Sequence, residues 1–136
     1  MEATLRSPSH STTPLNIWML EDSKSDEMLT RYAIDNTHIP HVLNVSKSGR
    51  ELMQQLEDPS AHMPDMLMLD LGVPDIDGFT FLELLAKKDA RLRSIPIVIL
   101  TGYKDFEYIA ELHSLCIRAY INKPLQQQQA EKLLSN

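Results

Sequence analysis

The chain has 136 residues, a formal net charge of −6 and a single cysteine, Cys116. That length suits one domain with a sizeable core, while the acidic balance argues against direct nucleic-acid binding, which rests on clustered Lys and Arg. A lone cysteine excludes an internal disulfide and fits a reducing, cytoplasmic setting. No apolar run approaches the roughly 18 residues of a membrane span, so no membrane insertion is expected.

Residues 1–14, rich in Ser, Thr and Pro, form an expected flexible N-terminal tail, and 15–136 the folded domain. Leu15 to Leu20 reads as a first strand running into Glu21-Asp22, and Ser23 or Asp22 as the cap of a helix reaching about Asn36. Asp26 and Glu27 sit in that helix's first turn, where acids complement the dipole. Met28, Leu29, Tyr32 and Ala33 are expected as its buried stripe. A second strand is predicted over His41 to Val45, and a second helix around Leu52, Met53 and Leu56, closed by Asp58-Pro59.

Met66 to Leu69 is a near-continuous apolar run ending at Asp70, so Asp65 to Asp70 reads as a third strand, covered on both faces. Asp75 to Gly78 turns the chain into a third helix carrying Leu82, Leu85 and Ala86. A fourth strand over Ile95 to Leu100 runs into Thr101-Gly102. The helix predicted next carries two apolar stripes, Phe106, Ile109, Ala110 and His113 on one side and Tyr108, Leu112 and Leu115 on the other. That is more apolar surface than one sheet contact needs. A fifth strand, Ala119 to Asn122, leads to Lys123-Pro124 and a last helix from about Leu125 to Leu134. Five β-α units imply an α/β fold with a parallel sheet and helices on both faces.

Glu21, Asp22 and Asp70 all lie at strand carboxyl ends, where ligands of such sheets gather. If the first and third strands are neighbours, three carboxylates crowd one small volume. Mg²⁺, which prefers oxygen ligands, suits that set better than a soft metal. Asp70 could then attack phosphorus, with the Thr101 hydroxyl and the Lys123 ammonium placed for arriving phosphoryl oxygens. Plainer roles stand beside these: Thr101 as a helix cap, Tyr120 as a packed strand aromatic, His38 and His41 as surface residues, Cys116 as a small buried hydrophobe, and Gln126 to Gln129 as a solvated helix face.

In order and spacing, the Glu21-Asp22-Ser23 start, Asp70, the Pro74-x-x-Asp77-Gly78 turn, Thr101 and Lys123-Pro124 resemble a response-regulator receiver domain of two-component signalling. The resemblance spans about Leu15 to Leu134 and implies a flavodoxin-like, doubly wound sheet of order 2-1-3-4-5. It implies Asp70 as phosphoacceptor, with Thr101 and Lys123 assisting, and Mg²⁺ held by Glu21, Asp22, Asp70 and the Gly72 carbonyl. It also implies a sensor histidine kinase or histidine phosphotransfer protein as phosphodonor, Tyr120 and Thr101 as switch residues, and a cis Lys123-Pro124 bond. The Glu-Asp-Ser start is similar to that of stand-alone regulators of phytochrome-type kinases. Departures are Glu21 for the commoner Asp, Gly72 where a polar side chain is frequent, and Cys116 where Gly usually closes the preceding helix.

The expected function is phosphorylation-dependent protein contact without turnover of a substrate. Tyr108, Leu112 and Leu115 are the expected interface, most simply of a homodimer through the fourth helix, fifth strand and fifth helix. Two alternatives stand beside it: the receiver part of a larger regulator with a DNA-binding or enzymatic output domain, and a Mg²⁺-dependent phosphatase of the haloacid-dehalogenase kind. The second would need Asp-x-Asp on the first strand, whereas Leu71-Gly72 follows Asp70.

Overall fold

The computed structural model describes residues 13–88, 90–101 and 115–135. Among them lie five strands, β1 (Leu15–Leu20), β2 (His41–Ser46), β3 (Met66–Leu69), β4 (Ile97–Thr101) and β5 (Ile117–Asn122). Four α-helices accompany them, α1 (Lys24–Asp35), α2 (Gly49–Glu57), α3 (Gly78–Lys88) and α4 (Gln127–Leu134). A 3₁₀ turn at Ala90–Ser94, absent from the sequence expectations, leads into β4.

All strand pairs are parallel and the order is β2-β1-β3-β4-β5, a flavodoxin-like sheet. Successive side chains of a strand point to opposite faces, and the apolar runs divide accordingly. Trp18, Leu20, Leu67, Leu69, Ile97 and Ile99 pack with Leu52, Leu56, Leu82 and Leu85 from α2 and α3. Ile17, Met19, Met68, Val98 and Leu100 pack with Ala33 and Ile34 from α1 and with Ala130 and Leu133 from α4. Two dry cores thus clamp β1, β3 and β4, and the chain order reverses between β1 and β3.

Local chemistry sets the helix starts. Ser23 Oγ accepts from the Asp26 N–H, and Ser48 Oγ from the Glu51 N–H. Asp75, from the β3–α3 loop, accepts from the Gly49 and Arg50 N–H groups and so pins that loop onto the start of α2. Gln126 and Gln129 form a capping box at α4 and are exposed, as a solvated helix face should be.

Three expectations need correction. On α1, Met28, Leu29 and Tyr32 are 59%, 51% and 70% exposed, and of the predicted stripe only Ala33 is buried. The sheet-facing residues are Glu27, Thr30, Ala33 and Ile34, because Glu27 is buried against cations and turns the helix by about one residue. Leu115 is buried within the α2–α3 side of the core, which removes it as an exposed interface anchor. Cys116 is exposed rather than buried, since it precedes β5 at the sheet margin. Residues 1–12 of the expected tail, and Tyr108, Leu112 and most of the expected fourth helix, lie outside the described residues.

Candidate phosphoacceptor and metal site

The site forms where the sheet order reverses, beyond the carboxyl ends of β1 and β3, the place at which open α/β sheets bind ligands. Backbone ladders carry the two acids there in register: the Asp70 N–H donates to the Leu20 carbonyl and the Glu21 N–H to the Ser46 carbonyl, each at 3.0 Å. Glu21, Asp22 and Asp70 each place a carboxylate oxygen within 4.8 Å of the others. Glu21 and Asp70 are buried and Asp22 is exposed, so the cluster opens to solvent on one side.

Lys123 enters from the end of β5, across a cis Lys123-Pro124 bond as the resemblance implied. Its Nζ lies 2.8 Å from Asp70 Oδ2, 3.0 Å from Asp26 Oδ2 and 2.6 Å from Glu21 Oε1. The contact with Glu21 is an ion pair between the ammonium and a buried carboxylate oxygen. Burial pushes the Glu21 carboxyl up to about 7, Lys123 opposing the rise and the nearby Asp70 adding to it. Burial pulls the Lys123 ammonium down, but Asp70, Glu21 and Asp26 together reverse this and hold it above its usual range.

Such a set fits a hard divalent cation. Three oxygens converge, and a cation would compensate the burial that raises Glu21 and the repulsion from Asp70 that adds to it. Gly72 sits beside the cluster, its N–H donating to Asp70 Oδ1 at 2.9 Å. Thr101 ends β4 with its backbone opposite Asn122, the residue before Lys123, and its side chain lies outside the described residues. Tyr120 is 38% exposed on β5. His38 is exposed, and His41 is held by the Ile39 carbonyl and Asp35, away from the acidic cluster.

One residue of the site escaped the sequence: Asp26, which reads there only as a first-turn acid of α1. Its place in the first turn of α1, directly after the Glu21-Asp22 strand end, is the available signal, because that turn starts beside the carboxyl ends of the strands.

Comparison with known proteins identifies the family and the fold. The family model of the response regulator receiver domain matches residues 17–135. Response regulator Rcp1 of Synechocystis is 30% identical over 117 residues, covering 83% of this chain and 79% of that protein. The phosphorylated cyanobacterial phytochrome response regulator RcpA superposes with a TM-score of 0.70 at 30% identity, covering 90% of this chain and 89% of that one. The Mn²⁺-bound form of Rcp1 gives a TM-score of 0.69 at 26% identity, covering 89% of each chain.

Proposed function

Since this chain belongs to the response regulator receiver family, we propose that it accepts a phosphoryl group on Asp70 and signals through altered protein contacts. The observation that carries this is Asp70 itself: a buried carboxylate at the end of β3, 2.8 Å from an ammonium and grouped with Glu21 and Asp22. The donor is the phosphohistidine of a sensor kinase or histidine phosphotransfer protein. Its P–N bond breaks as an Asp70 oxygen bonds to phosphorus, and the imidazole leaves.

Glu21, Asp22, Asp70 and the Gly72 carbonyl would hold Mg²⁺, a reading supported by the three converging carboxylates and by the Mn²⁺ that the similar Rcp1 binds. Bound there, the ion supplies charge neutralisation for the phosphoryl oxygens. Lys123 stabilises those oxygens from the β5 side, and Thr101 from the end of β4. The chain acts as a signalling module rather than as an enzyme on a separate substrate. Its setting is the cytoplasm, and its role is that of a response regulator like Rcp1.

The phosphodonor docks on the exposed apolar side chains Met28, Leu29 and Tyr32 of α1, which flank the site. Leu29 and Pro124 both line a cavity of about 290 Å³ that also takes in Lys123, so this surface reaches the lysine paired with Asp70. Homodimerisation through β5 and α4 remains part of the proposal, without Leu115 as an anchor. Incubation with acetyl phosphate and Mg²⁺ should add one phosphoryl group by intact mass, and Asp70→Asn should abolish it. Labelling of another residue, or none on folded protein, would reject the assignment.

A further inference from the structure

Asp26 stands outside the metal cluster, yet its carboxylate shares the Lys123 ammonium with Asp70. We propose that Asp26 is a positioning residue that gives Lys123 a second station, competing with the phosphoryl group for the ammonium and keeping the aspartyl-phosphate easily reversed. This rests on the receiver function proposed above and concerns the stability of the product state.

The geometry is built rather than incidental. Asp26 lies in the first turn of α1, where Ser23 Oγ accepts from its backbone N–H at 3.2 Å, so its Cα is fixed by a helix cap. The Lys123 side chain is only 15% exposed and that of Asp26 39%, so the pair is partly shielded from solvent at the mouth of the cavity lined by Leu29, Thr30 and Pro124. A carboxylate reaching in from a helix, 97 residues away in sequence, is not needed to neutralise one ammonium that already has Asp70 and Glu21 beside it.

Consider what each partner does on phosphorylation. Asp70 becomes the acyl phosphate, and its carboxylate charge is lost while the negative charge of the site moves to the phosphoryl oxygens. Glu21 belongs to the oxygen set that suits a cation. Asp26 has Lys123 as its one side-chain partner among the described residues, and it continues to hold one of the three ammonium donors. The incoming phosphoryl oxygens therefore meet a lysine already engaged, and they also meet an added negative charge a few ångströms away. Both effects raise the free energy of the phosphorylated state relative to the resting one. Removing the Asp26 charge should release Lys123 wholly to the phosphoryl group.

The test uses the full chain, Mg²⁺ and beryllofluoride, a phosphoryl mimic that binds the aspartate without being hydrolysed. Asp26→Asn is expected to bind beryllofluoride roughly three- to tenfold tighter than wild type by calorimetry, the scale of one partly exposed charged hydrogen bond. Loss of phosphate after acetyl phosphate labelling should slow correspondingly, and Asp26→Glu should return both values toward wild type. A purely structural role would not tighten binding of the mimic. In the absence of mimic, the Lys123 ammonium protons should exchange faster with water in Asp26→Asn. Asp26→Ser gives the same comparison if the Asn variant does not fold. Affinity equal to or weaker than wild type in a folded variant overturns the proposal and leaves the receiver function standing. A wild type that binds no beryllofluoride overturns both.

Discussion

Gly72 shows how a single missing side chain can set a rate. Its N–H is tied to Asp70 Oδ1, so residue 72 is held against the phosphoacceptor, but it has nothing with which to position a water in line with phosphorus. Positioning or general-base groups commonly contribute factors of about 10² to 10⁴ to such steps. No glycine among the described residues has positive φ, so a side chain can be added here without backbone strain. Gly72→Asn is therefore expected to shorten the phosphorylated lifetime by roughly tenfold or more, read as phosphate loss in Mg²⁺ without kinase. An unchanged or longer lifetime would mean that access, rather than positioning, limits hydrolysis. Glu21, Asp22 and Asp70 were legible in the sequence because they stand just beyond apolar strands, and Gly72 through the resemblance to receiver domains. Asp26 was not: helix acids near an N-terminus are common for dipole reasons alone, and only the fold shows that Lys123, just beyond β5, reaches it.

Among the elements, α1 was found in the sequence but its orientation was not. Apolar periodicity chose Met28, Leu29 and Tyr32 for the core, whereas the sheet contact is made by a row that begins with a buried glutamate. Glu27 is tolerated there because Arg31 Nε lies 2.9 Å away and Lys47 and Lys24 complete a ring of cations. No hydropathy pattern contains that compensation, since Lys47 comes from the end of β2. Lys47 and Arg31 hold the Glu27 carboxyl at about 2, below its ordinary 4.5. The unfolded chain thus takes up this proton first as pH falls. The stabilisation is complete above pH 4.5 and is lost as pH drops toward 2. Glu27→Gln should cost about 1–3 kcal/mol at pH 7, discounted because Arg31 and Lys47 are half exposed. The gap between wild type and variant in urea unfolding should close as pH falls through that window; a gap that widened would contradict the pairing. The start of α3 is constrained by contact instead. A Cβ at Gly78 would come within 2.5 Å of Leu71 Cβ and 2.8 Å of the Leu71 carbonyl oxygen, immediately after the phosphoacceptor. Gly78→Ala should lower stability by about 1–3 kcal/mol and displace Leu71, measurable as a lower Tm together with shifted amide resonances around Asp70.

Across the whole molecule, alternating strands and helices dictated a parallel sheet, and the sheet order places Glu21 and Asp70 side by side because β1 and β3 are neighbours. Periodicity alone could not supply that order; the spaced set from Glu21 to Lys123, through its resemblance to receiver domains, did. What surface patterns could not show is which apolar residues stay outside. The expected interface loses Leu115 to the core, and the exposed apolar side chains of the described chain instead include a row on α1 beside the site. Leu29 and Tyr32 also line a second cavity of about 320 Å³ that runs along Pro124, Leu125 and Gln126, so this row and the start of α4 make one continuous groove. A protein donor must bury such a surface to bring its phosphohistidine to Asp70, whereas a small acyl phosphate needs only the opening beside Asp22. Truncating both side chains should therefore separate the two donors. Leu29→Ser with Tyr32→Ser is expected to leave labelling by acetyl phosphate within about twofold of wild type. Transfer from the cognate histidine kinase or phosphotransfer protein should fall at least tenfold, the scale of losing one or two apolar anchors from an interface. Equal loss with both donors would place these residues in the chemistry of the site, and no loss with either would place docking on another face.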